Sequence, residues 1–364
     1  MNYSNQVYEI ALNKLNGIGI KRAQHILNKM PLSDFFELNK NTLHHLTGFS
    51  LGFINKLNFK KALNEAEKEV EELNKKNISF SFYGNNTYPT RLKNCYDPPL
   101  ILYHYGNGNI APKKIVSIVG SRNASIAGKK ATERLVNELS NNNISIVSGL
   151  AYGIDVCAHE NSLKNKNETI AVLAHGFNFI YPYCHRDIAK EIPNNGLLVS
   201  EHSINTPPKK GFFPKRNRII AGLSDATIIV ESKKNGGAII TARMANDYNR
   251  DVFAYPGETD NPLKAGCNKL IQNNQAHLIT SCSDFLNFMN WNDNLIQNKK
   301  TKKKEKLNNL EATVFNIIHK NNDPIGINKI KSISGISVKE AQVAIFSLEL
   351  KGLIKIGPGQ TFIT

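Results

Sequence analysis

Residues 115–159 read IVSIVGSRNASIAGKKATERLVNELSNNNISIVSGLAYGIDVCAH. The β-branched run Ile115 to Val119 predicts a strand. It breaks at Gly120-Ser121-Arg122, after which Ala127, Ala131, Leu135 and Leu139 recur at four-residue spacing along one helical face. A polar turn, Asn141-Asn142-Asn143, leads into a second apolar run, Ile144 to Val147. That run stops at Ser148-Gly149, and a new helix starts near Gly153. Strand, helix, strand is the unit that builds parallel sheets. Both strands end in glycine and serine at a helix start, where free backbone N–H groups suit a phosphate.

The dinucleotide fingerprint needs glycines at its first, third and sixth positions and an acid at the end of the second strand. Here the third position is Arg122, the sixth is Ser125, and the second strand ends in Ser148-Gly149. No Gly-Lys-Ser/Thr triphosphate loop occurs in the chain. An ordinary nicotinamide or ATP site is therefore not expected, and no cofactor is assigned. What remains is two small-residue turns at neighbouring strand ends, plus one arginine.

At 364 residues and 41% hydrophobic content the chain can hold two or three domains with real cores. Its net charge of +16 points to a polyanionic partner, with scattered surface lysines as the plainer explanation. The five cysteines fit neither a zinc ribbon nor a secreted disulfide framework, so a reducing cytoplasm is the expected compartment. The N-terminus carries no charged leader before an apolar block, and no stretch approaches a membrane span, so no membrane partner is expected.

Residues 1–76 read as helical, with glycine turns at Gly17-Ile18-Gly19, ahead of Lys21-Arg22, and at Gly48 to Gly52. Two readings stand: helix-hairpin-helix units that offer N–H groups to DNA phosphate, or glycine turns that only connect helices. Residues 77–290 form the α/β domain. A short strand near Leu100 to His104 precedes the sheet, and Pro98-Pro99 favours an edge or lead-in position for it. Further strands are expected at Thr169 to Leu173, Leu197 to Ser200, Ala226 to Val230 and Val252 to Tyr255, closing an open, doubly wound, mostly parallel sheet. Residues 291–309 are a basic linker, read as a solvated tether. Residues 310–364 order as a winged helix, yet the helix Val338 to Leu350 carries few base-reading side chains, so a protein-contact or spacer role is at least as well supported as duplex binding.

These residues resemble the bacterial DNA-processing protein A family (DprA, also called Smf). The resemblance runs through VGSRNASIAG, SGLAYGIDVCAH, TIAVLAHGFNFIYP, GLLVSEH, FPKRNRIIAGLS, GGAIITARMA, VFAYPG and GCNKLIQNNQAHLI. It implies an extended Rossmann-like domain with helical and winged-helix flanks. It also implies a protein that is not an enzyme: a single-stranded-DNA-binding mediator that protects incoming DNA and loads the RecA recombinase during natural transformation. A homodimer through the Rossmann-like domain and a RecA contact near its end belong to the same implication. The chain departs from the family where Gly236-Gly237-Ala238 replaces the usual Ser-Gly-Ser turn, and at Ala174 and Asn178, where a glycine and an aspartate are usual.

On this reading Arg122 meets a backbone phosphate, helped by the N–H groups of Gly120 and Ser121, while Ser148, Gly149 and Gly153 widen the phosphate-accepting turn. Lys215, Arg216 and Arg218 form a basic rim, Phe212 and Phe213 are placed to stack on bases, Thr241 keeps a hydroxyl at the next turn, and Arg186 is a further basic contact. The structural alternative is that Arg216 and Arg218 hold Glu201 or Glu231, and that Phe213 is core. Two rivals remain. One is a phosphoribohydrolase-like enzyme using Glu201 or Glu231 as its acid; the other is a duplex-DNA regulator acting through the winged helix.

Overall fold

A computed structural model of the chain describes residues 3–292, 307–321, 325–351, 353–357 and 361–363. Most of the expected basic linker, residues 293–306, lies outside the described residues, as do residues 358–360 within the expected hairpin. The chain forms two compact units, Met1–Trp291 and Asn292–Thr364.

The first unit is built on a nine-stranded sheet: β1 (Ser79–Phe82), β2 (Ile101–Tyr105), β3 (Ile115–Val119), β4 (Ser145–Ser148), β5 (Thr169–Val172), β6 (Leu197–Ser200), β7 (Ala226–Ile229), β8 (Asp251–Ala254) and β9 (His277–Leu278). Their spatial order is β1-β2-β6-β5-β4-β3-β7-β8-β9. From β6 to β9 every neighbouring pair is parallel, while β2 runs antiparallel to both β1 and β6. This is the α/β, Rossmann-like, doubly wound fold expected from the sequence. The strands β3 to β7 are buried along their whole length and mostly apolar because both of their faces are covered. On β3, Val116 and Ile118 pack beneath the helices Ile126–Asn141 and Ile154–Lys164, whereas Ile115 and Val119 face the helices Phe212–Leu223 and Gly237–Asp247.

Chain order sets the working end of the sheet. From β3 the chain winds through β4 and β5 to β6 on one side, then crosses to β7 and continues through β8 to β9 on the other. The switch point therefore lies between β3 and β7, which pair in register from Val116 with Ala226 to Val119 with Ile229. In such sheets the crevice at the strands' carboxyl ends, at the switch point, receives ligands.

The proline-flanked strand differs from its expected place. β2 is paired on both sides, and β1 takes the edge. Pro98 and Pro99 precede β2 without entering its ladder, so they do not limit its pairing. Residues 5–75 are helical as expected, and their core is continuous with that of the sheet: Ile10, Leu12, Phe35 and Leu73 pack in one cluster with Phe82, Tyr103 and Ile204. Arg22 closes the first glycine turn itself, donating from Nη1 to the Gly17 carbonyl at 2.5 Å and lying 4.4 Å over the Phe53 ring.

In the second unit the helix Asn309–Lys320 is followed by β10 (Ile325–Gly326), the helices Ile327–Ser334 and Val338–Leu350, and then β11 (Lys355–Gly357) and β12 (Thr361–Ile363). The strands order as β10-β12-β11, all antiparallel, over a core that includes Val314, Ile318, Ile330, Leu348 and Phe362. Helices and hairpin fall where the sequence places them.

At the amino end of the sheet, Asp225 accepts from Arg91 Nε at 2.5 Å, Arg91 Nη2 at 2.9 Å and the Ile115 amide at 3.0 Å. Arg91 also donates to the carbonyls of Pro112 and Lys113, at 2.7 Å each. One carboxylate thus ties the entries of β3 and β7 to the short helix Thr90–Lys93. Both partners are about one-fifth exposed, so solvent weakens the pair. Asp225→Ala should cost about 2 kcal/mol, chiefly by leaving the guanidinium and the Ile115 amide unpaired. Urea denaturation would measure this, and a loss below a few tenths would show that the clamp is not structural.

Candidate functional site

A cavity of about 930 Å³ opens at the carboxyl ends of β3 and β7. Its walls are the turn Gly120 to Asn123 after β3, the segment Ser232 to Gly237 after β7, and one side of the helix Phe212–Leu223. On that helix Phe213, Arg216 and Asn217 share the cavity face, the three- and four-residue spacing of neighbours on one side. Tyr181, Pro208 and Lys210 complete the rim.

The floor is a buried guanidinium. Arg216 is 4% exposed and donates from Nη1 to the carbonyls of Gly149, at 2.5 Å, and Val172, so it bridges the ends of β4 and β5. Its Nε reaches Asn217 Oδ1 at 3.1 Å. A Cβ on Gly149 would lie 2.5 Å from Arg216 Nη2, so this position has no room for a side chain. Asp155, also buried, is the acid whose charge acts on it. Burial raises its carboxyl above the usual range, while Arg216 and the backbone amides of Gly149, Gly120 and Ala151 oppose that shift. Burial likewise pulls the Arg216 guanidinium down to about 10, with Asp155 opposing and Arg122 adding to the shift. It remains charged at neutral pH.

Above that floor the cations lack counter-ions. Arg122, Lys210 and Lys233 line the cavity and pair with no carboxylate among the described residues, and all three are exposed. Asp155 is the one acid in the lining. The Arg122 guanidinium lies 5.7 Å from the centre of the Phe213 ring, whose other neighbour is Tyr181 at 5.3 Å and 61°. The helix Gly237–Asp247 begins at the cavity with no side-chain cap, so the positive end of its dipole faces the opening. An arginine on an aromatic face, two lysines and an uncapped helix start make a site for an extended anion that carries flat groups.

The structure sorts the residues singled out in the sequence. Gly120, Ser121, Arg122, Phe213, Arg216 and Thr241 come together at the cavity. Phe213 is half-buried with its ring on the cavity, not in the core. Ser148, Gly149 and Gly153 do not widen a phosphate turn. The Ser148 hydroxyl is buried and donates to the Ile118 carbonyl at 2.7 Å, and the Gly149 amide donates to Asp155 Oδ2 at 3.2 Å. Gly153 holds φ +79°, and a Cβ there would meet the Ser121 carbonyl oxygen at 2.1 Å. These residues shape the turn from below.

The basic rim is also redrawn. Arg216 is floor; Lys215 is exposed outside the cavity lining; Arg218 is bound to Glu201 and to the Asp97 carbonyl. Glu231 is held not by an arginine but by the Ser125 amide at 2.9 Å, by the Ser125 hydroxyl and by Lys264 at 3.9 Å. Arg186 lies outside the cavity lining, 4.8 Å over Tyr183 and 3.6 Å from Asp187. Phe212 stacks on His202 at 4.2 Å instead of facing the cavity. The sequence reading missed Asp155, Tyr181, Lys210 and Lys233. Only Asp155 left a signal, as an acid in the first turn of a helix that starts at a glycine. Among the described residues no group of three or more His, Cys, Asp or Glu could hold a metal ion, and no helix is long and apolar enough to cross a membrane.

Residues 79–290 match the family model described as DNA recombination-mediator protein A. The chain is 30% identical over 399 residues to a Synechocystis protein named Smf, an alignment covering 99% of this chain and 98% of that one. The X-ray structure of DNA processing protein A (DprA) from Streptococcus pneumoniae superposes with a TM-score of 0.66 at 34% identity, covering 79% of this chain and 98% of the other. DNA processing protein A from Helicobacter pylori, whose structure addresses its single-stranded DNA binding mode, superposes with a TM-score of 0.53 at 33% identity, covering 58% and 95%.

Two imidazoles of this unit, His159 near Arg216 and His202 against Phe212, are held neutral. Burial depresses His159 to about 3, with Arg216 and His185 adding to the shift. Burial depresses His202 to about 4, with His175, Arg218 and Lys215 adding. Each binds its proton less readily folded than unfolded, where 6.5 is the ordinary value, so stability falls as pH drops from about 6.5 toward about 4. Urea midpoints measured between pH 7 and pH 5 should decline, and the decline should be shallower in His159→Gln. Equal slopes would mean that His159 is not held neutral.

Proposed function

The chain belongs to the DNA recombination-mediator protein A family, and from that premise we propose that it binds single-stranded DNA in the cavity at the β3–β7 switch point. The observation that carries this is the trio of exposed cations, Arg122, Lys210 and Lys233, that line the cavity without a carboxylate partner among the described residues, Arg122 lying over the Phe213 ring. Phosphates meet the cations and the uncapped helix start at Gly237, while a base stacks on Phe213. A duplex does not offer an unpaired base face to such a ring, so the single strand is preferred. The strand then runs along a surface that fits any sequence, because every base has a face to stack.

The wider role proposed is that of a cytoplasmic mediator that protects a single strand taken up in natural transformation and loads RecA onto it, acting as a homodimer through the Rossmann-like unit. The 307–363 unit acts as a winged helix that contacts a protein or duplex DNA. The protein works by binding and not by turnover. In support, the two acids that glycosidic cleavage would need free are engaged: Glu231 by Ser125 and Lys264, and Glu201 by Arg218.

Fluorescence anisotropy with an oligonucleotide and its duplex across a salt series tests the proposal. The single strand should bind more tightly, with affinity falling steeply as salt rises. Arg122→Ala should weaken single-strand binding several-fold and reduce the salt slope by about 0.7, the share of one phosphate contact, without altering the melting temperature. Unchanged affinity at physiological salt would remove Arg122 from the site; stronger duplex binding would shift the case to the 307–363 unit.

A further inference from the structure

At the cavity rim and beyond it, large aromatic side chains stand in solvent. Tyr181 is 46% exposed, Tyr183 70% and Tyr152 46%. They occupy two loops joined at one corner. His185, buried, engages the Leu150 carbonyl through Nδ1 at 2.9 Å, and its ring meets Tyr152 at 5.1 Å and 67°. Tyr183 opens the short turn Tyr183–His185 that carries this histidine, so Tyr152 and Tyr183 are mounted on the same packed support. Tyr181 and Cys184 lie close enough to Tyr152 to raise its phenol above the ordinary value, the thiol's hydrogen bond being the larger cause. The cluster is continuous with the cavity, because Tyr181 is at once a rim residue and the ring neighbour of Phe213.

Charge accompanies the rings. Arg122 lies over Phe213 at 5.7 Å, and Arg186 lies over Tyr183 at 4.8 Å. Asp187 is the acid beside Arg186, at 3.6 Å, and it is shared with Lys190 at 4.0 Å. Exposed rings with interleaved cations are the chemistry of a single-stranded nucleic-acid track, in which bases stack on the rings and the cations follow the backbone.

We propose that Tyr181, Tyr183 and Tyr152, with Arg186, form a stacking track that carries the bases of a single strand out of the cavity. The track rests on the cavity being the entry site for that strand. It gives the strand a defined course, from Phe213 past Tyr181 toward the Tyr183 and Tyr152 corner. It lengthens the footprint beyond what the cavity covers. Since rings stack on any base, the track is indifferent to sequence but requires bases.

The test compares wild type with a Tyr152→Ala/Tyr183→Ala double variant on three probes: an oligothymidylate of about four nucleotides, one of about twelve, and an abasic strand of about twelve, lengths that span the range of single-strand site sizes. The double variant should bind the long oligothymidylate about tenfold or more weakly, from two lost stacks, yet match wild type on the short probe and on the abasic strand. The Tyr152→Phe/Tyr183→Phe variant should retain wild-type affinity for all three. Unchanged binding of the long oligothymidylate by the alanine variant, or an equal loss on the abasic strand, would overturn the track while leaving the cavity in place. Failure of wild type to bind any probe would instead remove the single-strand reading on which the track depends. Both positions are exposed, so melting temperatures should agree among variants, and the phenylalanine pair controls for any that do not.

Discussion

A single buried guanidinium holds the working end of this protein together. Arg216 sits beneath the cavity with its charge removed from water, an arrangement that costs several kcal/mol unless the ion is well bonded. The compensation is hydrogen bonds to the Gly149 and Val172 carbonyls and to Asn217, with the buried Asp155 adding a favourable charge. Two of these partners, the Gly149 and Val172 carbonyls, stand at the ends of β4 and β5, so the same bonds fix the mouths of those strands. Gly149 can only be glycine in this arrangement, because the guanidinium occupies the space of a side chain.

With Arg216 bonded into its floor, the cavity can present positive charge above. Asp155 is consumed below, leaving Arg122, Lys210 and Lys233 facing outward with no acid opposing them in the lining. Low-dielectric walls and the uncapped helix start concentrate that field in the opening. The arrangement separates two roles that look alike in sequence: one arginine shapes the site, and another meets the ligand. Phe213 links them, since its helix carries Arg216 inward while its ring supports Arg122 outside.

The sheet was legible wherever burial on both faces produces β-branched runs, as in Ile115 to Val119 and Ala226 to Ile229. β1, with its Ser-Phe-Ser-Phe alternation, and β9, two exposed residues, carry no such run, and only pairing with neighbours makes them strands. At the site, Arg122 was legible because it follows a Gly-Ser strand end. Lys215, Arg216 and Arg218 were not separable, since consecutive charges say nothing about which way a helix is turned. The fold turns Arg216 inward, Arg218 onto Glu201 and Lys215 to solvent. Ser148 and Gly149 have the composition of an anion turn, but their polar groups are taken by Ile118 and Asp155, neighbours that only the folded chain brings near.

The most direct measurement is photo-crosslinking of the full chain to a thiothymidine-containing single strand, with the modified peptides identified by mass spectrometry. If the switch-point cavity holds the strand, cross-links fall in the peptides carrying Ser121 to Asn123, Phe213 to Asn217 and Ser232 to Thr241. Cross-links confined to the helical segment before residue 76, or to residues 307–363, would contradict it.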